Sequence, residues 1–176
     1  QLLQPPAWAI DLWLDTDNRK AVTLGLNPRF WRRDDGSSYE RMLQLKVEIK
    51  LTDNTIFRLG PGYKHRFSFS QWVDEVHTDG VPQYIFAELD SKTIDFTTRV
   101  NTSLSPDLSL EFFIQPFVAI GDYERFKTLV APLTYRFTPY SSEPDLLKQN
   151  RDFYYRSLRS NLVLRWEYQP GSTIFI

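Results

Sequence analysis

The stretch RMLQLKVEIKL (residues 41–51) decides the fold, because apolar and polar side chains alternate along its whole length. Leucine, valine and isoleucine occupy every second position from Leu43 to Leu51, and polar residues such as Lys46 and Glu48 lie between them. A period of two sorts residues onto the two faces of a β-strand, whereas the 3.6-residue period of a helix would mix them. We therefore predict a β-strand with one apolar face and one polar face.

The same alternation returns along most of the chain, and turn-rich segments separate its occurrences. Short turns rich in Asp, Asn, Pro and Gly alternate with longer connections at 34–39, 71–83 and 124–152. The stretch 84–104 has no strong turn, so we predict one long strand there, whose first half rises above a membrane. The predicted strand segments, eight in number, are 6–14, 20–33, 40–51, 55–69, 83–104, 108–122, 153–168 and 172–176.

This order of strands and turns predicts an all-β fold, an antiparallel up-and-down meander that forms all or part of a transmembrane outer-membrane β-barrel. Tight turns at one end and long loops at the other are typical of such barrels, and a strand of about 9–11 residues crosses the membrane. We treat residues 1–176 as a single barrel domain or a fragment of one. The last predicted strand stops at Ile176, and lipid does not tolerate an open sheet edge. We therefore expect further strands outside this chain.

The composition argues against several other classes of protein. No run of 18 apolar residues is present, so no transmembrane helix is predicted. The net charge of −1 gives no signal for nucleic-acid binding, and the absence of cysteine excludes disulfides and thiolate metal sites. The aromatic share of 15% suits the interface girdles of a membrane barrel. A soluble β-sandwich used for binding also alternates, and it stays open as the alternative fold.

Charged residues concentrate on the polar sides of the predicted strands, which we expect to line the barrel lumen. Basic residues outnumber acidic ones there, which predicts either a pore that favours anionic solutes or a cross-strand network of ion pairs. The predicted lumen-facing charges are Arg29, Lys46, Glu48, Lys50, Arg58, Lys64, Arg66, Arg99, Glu111, Arg159, Arg165 and Glu167. Aromatic residues gather near strand ends, as interface girdles do. The predicted interface aromatics are Trp8, Trp13, Phe30, Trp31, Phe67, Phe69, Trp166 and Tyr168.

No catalytic constellation is evident in the sequence, and we predict neither a cofactor nor a metal site. His65 lies on the apolar side of its strand, and His77 lies in an acidic segment, 74–79, that lacks the ligand spacing of an EF-hand. A barrel-embedded hydrolase with His65 on its outer wall stays open as an alternative, but the sequence brings no nucleophile to it. The loop 139–150 is our candidate for a contact at the outer surface.

Four stretches of the chain carry a resemblance to a known family. They are LDTDNRKAVTLGLNPRFWRRDDG (14–36), FRLGPGY (57–63), YIFAELDSKTIDFTTRVNTSLSPDLSLEFFIQPFVAIGDY (84–123) and RDFYYRSLRSNLVLRWEYQPGSTIFI (151–176). The segments SPDLSLEFFIQPF and SLRSNLVLRWEYQPGST are the most specific. The chain resembles the C-terminal barrel domain of a bacterial envelope family of unassigned activity. Members typically carry a carbohydrate-binding-module-family-9-like domain before the barrel.

The resemblance implies a barrel at the C-terminal end of a larger protein in the outer membrane of a Gram-negative bacterium. It implies a transport or anchor role in an envelope protein that handles glycans, and no established catalysis. The lipid bilayer is then the main partner, other segments or chains complete the barrel, and contact with glycan comes through the preceding sugar-binding domain. We expect no nucleic-acid partner.

Overall fold

A single antiparallel sheet accounts for the alternating stretches. The computed structural model describes residues 2–78, 80–140 and 151–176. Its ten strands are β1 (Ala7–Asp11), β2 (Leu14–Asp15), β3 (Val22–Arg33), β4 (Tyr39–Thr52), β5 (Thr55–Thr78), β6 (Val81–Ser105), β7 (Leu108–Leu129), β8 (Phe137–Pro139), β9 (Phe153–Gln169) and β10 (Ser172–Phe175). Six of them run for 12 to 25 residues, far beyond the roughly 5–6 residues usual in globular proteins.

The strands follow one another across the sheet in the order β1-β3-β4-β5-β6-β7-β9-β10. β1 and β2 share one edge of β3, and β8 pairs with β7. Every pairing is antiparallel, so the predicted all-β antiparallel meander is confirmed. The sheet is not closed into a barrel, because within the described residues no pairing joins β10 to β1 or β2.

The β5–β6 hairpin extends well beyond the predicted strand ends. The sequence predicts a long loop at 71–83, but β5 and β6 continue through it to a turn at Gly80, whose φ is +79°. Two register shifts interrupt the pairing, one after Ser68 and one after Trp72. A bulge adds a residue to one strand and so disturbs the alternation, which is why the sequence pattern gives no strand signal there.

Other strand ends also differ from the prediction. Residues 6–14 form two short strands, because the chain leaves its pairing with β3 between them. β7 continues to Leu129 and β8 folds back onto it, so part of the predicted loop 124–152 is sheet. Residues 141–150, with most of the proposed outer-surface contact, lie outside the described residues. The single strand predicted over 84–104 is confirmed as β6.

The register brings the apolar sides of neighbouring strands onto one face of the sheet. Leu24 of β3 lies opposite Val47 of β4, which lies opposite Leu59 of β5. In the adjacent row, Thr23 lies opposite Glu48. Directly opposed residues in an antiparallel pair point to the same side, and the side alternates along each strand. The sheet therefore has an apolar face and a polar face.

Buried apolar packing is confined to one end of the sheet, in the extensions of β5, β6 and β7. There Val73, Ile85, Ala87 and Phe126 form a cluster against which Tyr140 packs. All of the buried apolar side chains among the described residues belong to this end. No helix in the described part of the chain is long and apolar enough to cross a membrane.

Candidate functional site

The apolar face is a wide surface that spans six neighbouring strands and carries no charge over most of its length. Its members are Val22, Leu24, Leu26, Pro28, Phe30, Leu43, Leu45, Val47, Ile49, Phe57, Leu59, Pro61, Tyr63, Ile94, Phe96, Thr98, Val100, Leu110, Phe112, Ile114, Pro116, Val118, Ile120, Leu158, Ser160, Leu162, Leu164 and Trp166. Ile94 is 58% exposed and Leu158 is 65% exposed. An apolar patch of this extent marks an interaction surface.

The polar face gathers the charged residues that the sequence predicts to face a lumen. Strand alternation and register bring all twelve of them to this one face. Arg29, for example, lies opposite Met42, which lies opposite Lys64 of the next strand. The predicted set is therefore a spatial group, and it lies on the opposite side of the sheet from the apolar face.

Ion pairs neutralise only part of the charge on the polar face. Arg58 Nε donates to Glu48 Oε2 at 2.7 Å, and Arg29 Nη1 lies 3.5 Å from Asp11 Oδ1. Arg58 also lies directly opposite Arg99, and like charges in that position repel. No ion pair in the described residues involves Arg99. The face thus keeps an excess of positive charge.

A depression of about 330 Å³ opens at this part of the sheet. Its charged lining consists of Lys46, Arg58 and Arg99, and Gly60 forms part of its floor. Arg58 is paired with Glu48, but Lys46 and Arg99 add further positive charge, and a concave surface with excess positive charge raises the local concentration of anions.

Comparison with protein families decides where this chain belongs. A family model described as a domain of unknown function (DUF5916) matches residues 1–176. The chain belongs to the DUF5916 family. No curated protein and no solved structure matches it.

The predicted interface aromatics of this DUF5916 domain divide between the two faces. Trp8 packs against Phe30 on the apolar face, with ring centroids 5.2 Å apart, and Trp166 lies 6.1 Å from Tyr168 at the other end. Trp31 pairs with Glu40 and therefore lies on the polar face, because neighbouring residues in a strand point to opposite sides.

The three other predicted aromatics, Phe69, Phe67 and Trp13, differ in environment from the apolar-face pairs. Phe69 packs against Tyr135 and Phe137 and is half-buried. Phe67 stacks on Tyr39, with centroids 5.8 Å apart. Trp13 lies between β1 and β2 and is exposed.

Neither histidine of the DUF5916 domain lies in a catalytic arrangement within the described residues. His65 Nε2 lies 2.8 Å from Asp90 Oδ1, and no serine hydroxyl is among its hydrogen-bond partners. His77 Nε2 lies 3.7 Å from Glu75 Oε1. Among the described residues, no group of three metal-binding side chains is arranged to hold a metal ion.

A charged cluster that the sequence does not single out joins Glu88 of β6 to Arg125 and Lys127 of β7. Arg125 Nε donates to Glu88 Oε2 at 2.7 Å, and Lys127 Nζ lies 3.5 Å from Glu88 Oε1. The lysine Nζ also lies 3.0 Å from the ring centroid of Phe69. Burial lowers the pKa of Lys127 to about 8, although the Glu88 carboxylate acts in the opposite direction.

Residues 130–140 fold back over this cluster. The Tyr135 hydroxyl lies 3.0 Å from Ser70 Oγ, and the Phe137 ring lies 5.4 Å from that of Phe86. Arg125 has a φ of +49°, which is uncommon outside glycine, and a register shift between β6 and β7 accompanies it. The cleft beside the cluster is about 640 Å³. We assign the cluster the structural role of holding the returning segment on the long hairpin.

Proposed function

We propose that this DUF5916 domain forms part of the wall of a β-barrel in the bacterial outer membrane. It has a transport or anchor role in an envelope protein, and no catalytic arrangement is evident among its described residues. The observation that carries the proposal is the apolar face, which is uncharged across six strands and exposed to solvent in the isolated chain. A membrane barrel turns such a face to lipid and its polar face to the lumen.

The height of the uncharged band fits a membrane. On β6 the apolar face runs from Lys92 to Leu104. Twelve residue steps of extended chain span about 40 Å. With a strand tilt of about 40°, this corresponds to a band about 30 Å tall, which matches the thickness of the hydrocarbon core of a bilayer.

A soluble β-sandwich is the main alternative, and it explains fewer features of this sheet than a membrane barrel does. It would need a second sheet to cover the apolar face, whereas the described part of the chain has a single sheet. It would also leave strands of 17 to 25 residues with no reason for their length.

Barrel formation requires strands that pair with the two open edges. Unpaired backbone groups are not tolerated in lipid, so the β1–β2 edge and the β10 edge need partners. We propose that other segments of the full protein or other chains supply them. The role in handling glycans rests on the resemblance to the envelope family alone, through a sugar-binding domain outside this chain.

The polar face supports a preference for anionic solutes over a fully compensated ion-pair network. Arg58 is paired with Glu48, but Arg99 has no ion-pair partner among the described residues and faces Arg58 directly. Repulsion of this kind is best relieved by water, which a lumen would supply.

Extraction and electrophoresis test the proposal. We expect the full-length protein to require detergent for extraction, and to migrate differently on a denaturing gel before and after boiling, because closed barrels resist unfolding until they are heated. A protein that stays soluble in plain buffer, with no change in mobility, would contradict the membrane proposal and favour a sandwich.

A further inference from the structure

Charged side chains return to the apolar face near the end that carries the long hairpins, and on β3, β4, β6 and β9 the first of them is basic, whereas on β7 it is Asp122. Arg32 of β3, Arg41 of β4, Lys92 of β6 and Arg156 of β9 point to this face, and all four are exposed. We call these four residues the basic line. It forms the boundary between the uncharged band and the rest of the sheet.

The basic line crosses the strands obliquely. Arg41 and Lys92 lie in one cross-strand row, Arg32 lies one step above it, and Arg156 lies one step below it. From β3 to β9 the line therefore descends about 14 Å along the strands over about 24 Å across them, an angle of about 30°. Cross-strand rows run perpendicular to the strands. In a barrel with tilted strands, the membrane surface therefore crosses each row at the tilt angle, which is about 35–45°.

The cations of the basic line are available to an external anion. No ion pair in the described residues involves any of the four. Arg41 Cζ lies 5.1 Å from the Tyr39 ring centroid, and Arg156 Cζ lies 4.3 Å from that of Tyr154. Such cation–π contacts hold a guanidinium at a fixed height while its N–H groups stay open to solvent.

Acidic residues lie next to the basic line, on its far side from the uncharged band. Asp90 and Asp122 are paired with each other in the next row, and Asp90 is engaged by His65 at 2.8 Å. On β3, β4, β6 and β9, an anion at the end of the apolar band therefore meets a cation before it meets an acidic residue. The phosphate of a lipid has this position, because the acyl chains of the lipid lie along the apolar side chains and the phosphate lies where the apolar band ends.

We propose that the basic line binds the phosphate of lipid headgroups, in the leaflet next to the long hairpins. This inference rests on the proposed membrane function. Arginine suits the role because its N–H fork matches a phosphate, and basic side chains at a membrane surface attract anionic lipid. The uncharged band orients the lipid, and the basic line selects its headgroup.

Lipid competition in bilayers tests the proposal. The full-length protein is reconstituted in phosphatidylcholine vesicles that contain brominated phosphatidylglycerol or brominated phosphatidylcholine, and quenching of tryptophan fluorescence reports the lipid next to it. Trp8 is well positioned, because it packs against Phe30, over which Arg41 extends. The test variant combines R41Q, K92Q and R156Q. The control variant combines K64Q, R66Q and R159Q, which removes the same charge from the polar face.

The expected result is a preference of about fivefold for phosphatidylglycerol in the wild type and the control, and none in the test variant. Equal preference in all three proteins would overturn the proposal. If the triple variant does not fold, K92Q alone replaces it as the test variant, because Lys92 is exposed and has no ion pair in the described residues. K92Q should reduce the preference for phosphatidylglycerol by about half. If millimolar inorganic phosphate abolishes the preference, the basic line is a site for free phosphate and the lipid assignment fails. If neither brominated lipid quenches the wild type, the membrane function itself fails.

Discussion

Thr23 and Leu24 are neighbours in β3, yet the threonine is 5% exposed and the leucine is 50% exposed. Soluble sheets show the opposite order, because burial of apolar surface drives their folding. The same order recurs in β6, where Ile94 is 58% exposed and its neighbour Asp95 is half-buried. This order is the one expected at a face that contacts lipid, as proposed above.

Replacement of Leu45 by arginine tests whether the apolar face contacts lipid, because Leu45 lies near the middle of the band on β4, between Arg41 and Leu51. At a lipid-facing position near the middle of the band, arginine costs about 2–4 kcal/mol, whereas at an exposed site of a soluble protein the cost is about 0.5 kcal/mol or less. We expect the L45R variant to lose the larger free energy of unfolding when it is refolded into vesicles and titrated with denaturant. The same change at Leu51, at the edge of the band, should cost about 0–1 kcal/mol. Equal small costs at both positions would argue against a lipid-facing surface.

Gly121 lies under the ring of Phe153 on the neighbouring strand, and an added Cβ would overlap that ring. We expect G121A to lower the free energy of unfolding by about 1–3 kcal/mol, as overpacking does. G60A is the matched control, since its Cβ would meet its nearest atom, the Leu45 carbonyl oxygen, at an ordinary 3.5 Å. In an F153A background the cost of G121A should disappear. A cost that persists there would locate the strain elsewhere.

Lys127 should make the stability of the hairpin end depend on pH. Burial lowers its pKa from 10.5 to about 8, so the folded state binds fewer protons than the unfolded state between these two values. Stability attributable to this group therefore rises with pH from about 8 to 10.5, and the cost of burying the charge is fully present below pH 8. Amide hydrogen exchange of residues 126–129 measures it. K127M should remove this dependence, and a dependence unchanged in that variant would assign it to another group.

Arg99 should contribute to ion selectivity if the completed barrel conducts. It lies on the polar face beside Arg58 and lacks an ion-pair partner among the described residues. We expect R99E to lower the anion-to-cation permeability ratio, measured from the reversal potential in planar bilayers. R19E makes the same charge change in an exposed turn where Arg19 pairs with Asp17, and it should have little effect. Equal ratios in wild type and R99E would remove the residue from the conduction path.

The faces of the sheet could be predicted from sequence because a period of two directly encodes side-chain direction. The continuation of β5 past residue 69 could not, because the register shifts after Ser68 and Trp72 interrupt that period. Trp31 lies near a strand end, but its pairing with Glu40 places it on the polar face, which distance from a strand end does not reveal. Sheet closure depends on which strands meet at the edges, and alternation carries no information about it.

The Glu88–Lys127 cluster was also beyond sequence reasoning. Its two residues lie far apart in the chain, they match no motif, and a register shift near Arg125 brings them together. Each residue alone would be taken for a solvated surface charge. Only the three-dimensional pairing of β6 with β7 shows that both are buried.

The most direct test of the membrane account compares two neighbouring residues of β6. The chain contains no cysteine, so a single cysteine at Ile94 or at Asp95 can carry a nitroxide spin label alone. In vesicles, a label that collides often with oxygen lies in lipid, and a label that collides often with a water-soluble nickel chelate is exposed to water. The account predicts that the label in I94C collides mainly with oxygen and the label in D95C mainly with nickel. If the label in I94C collides mainly with nickel, or is shielded from both reagents, the apolar face does not contact lipid and the account is wrong.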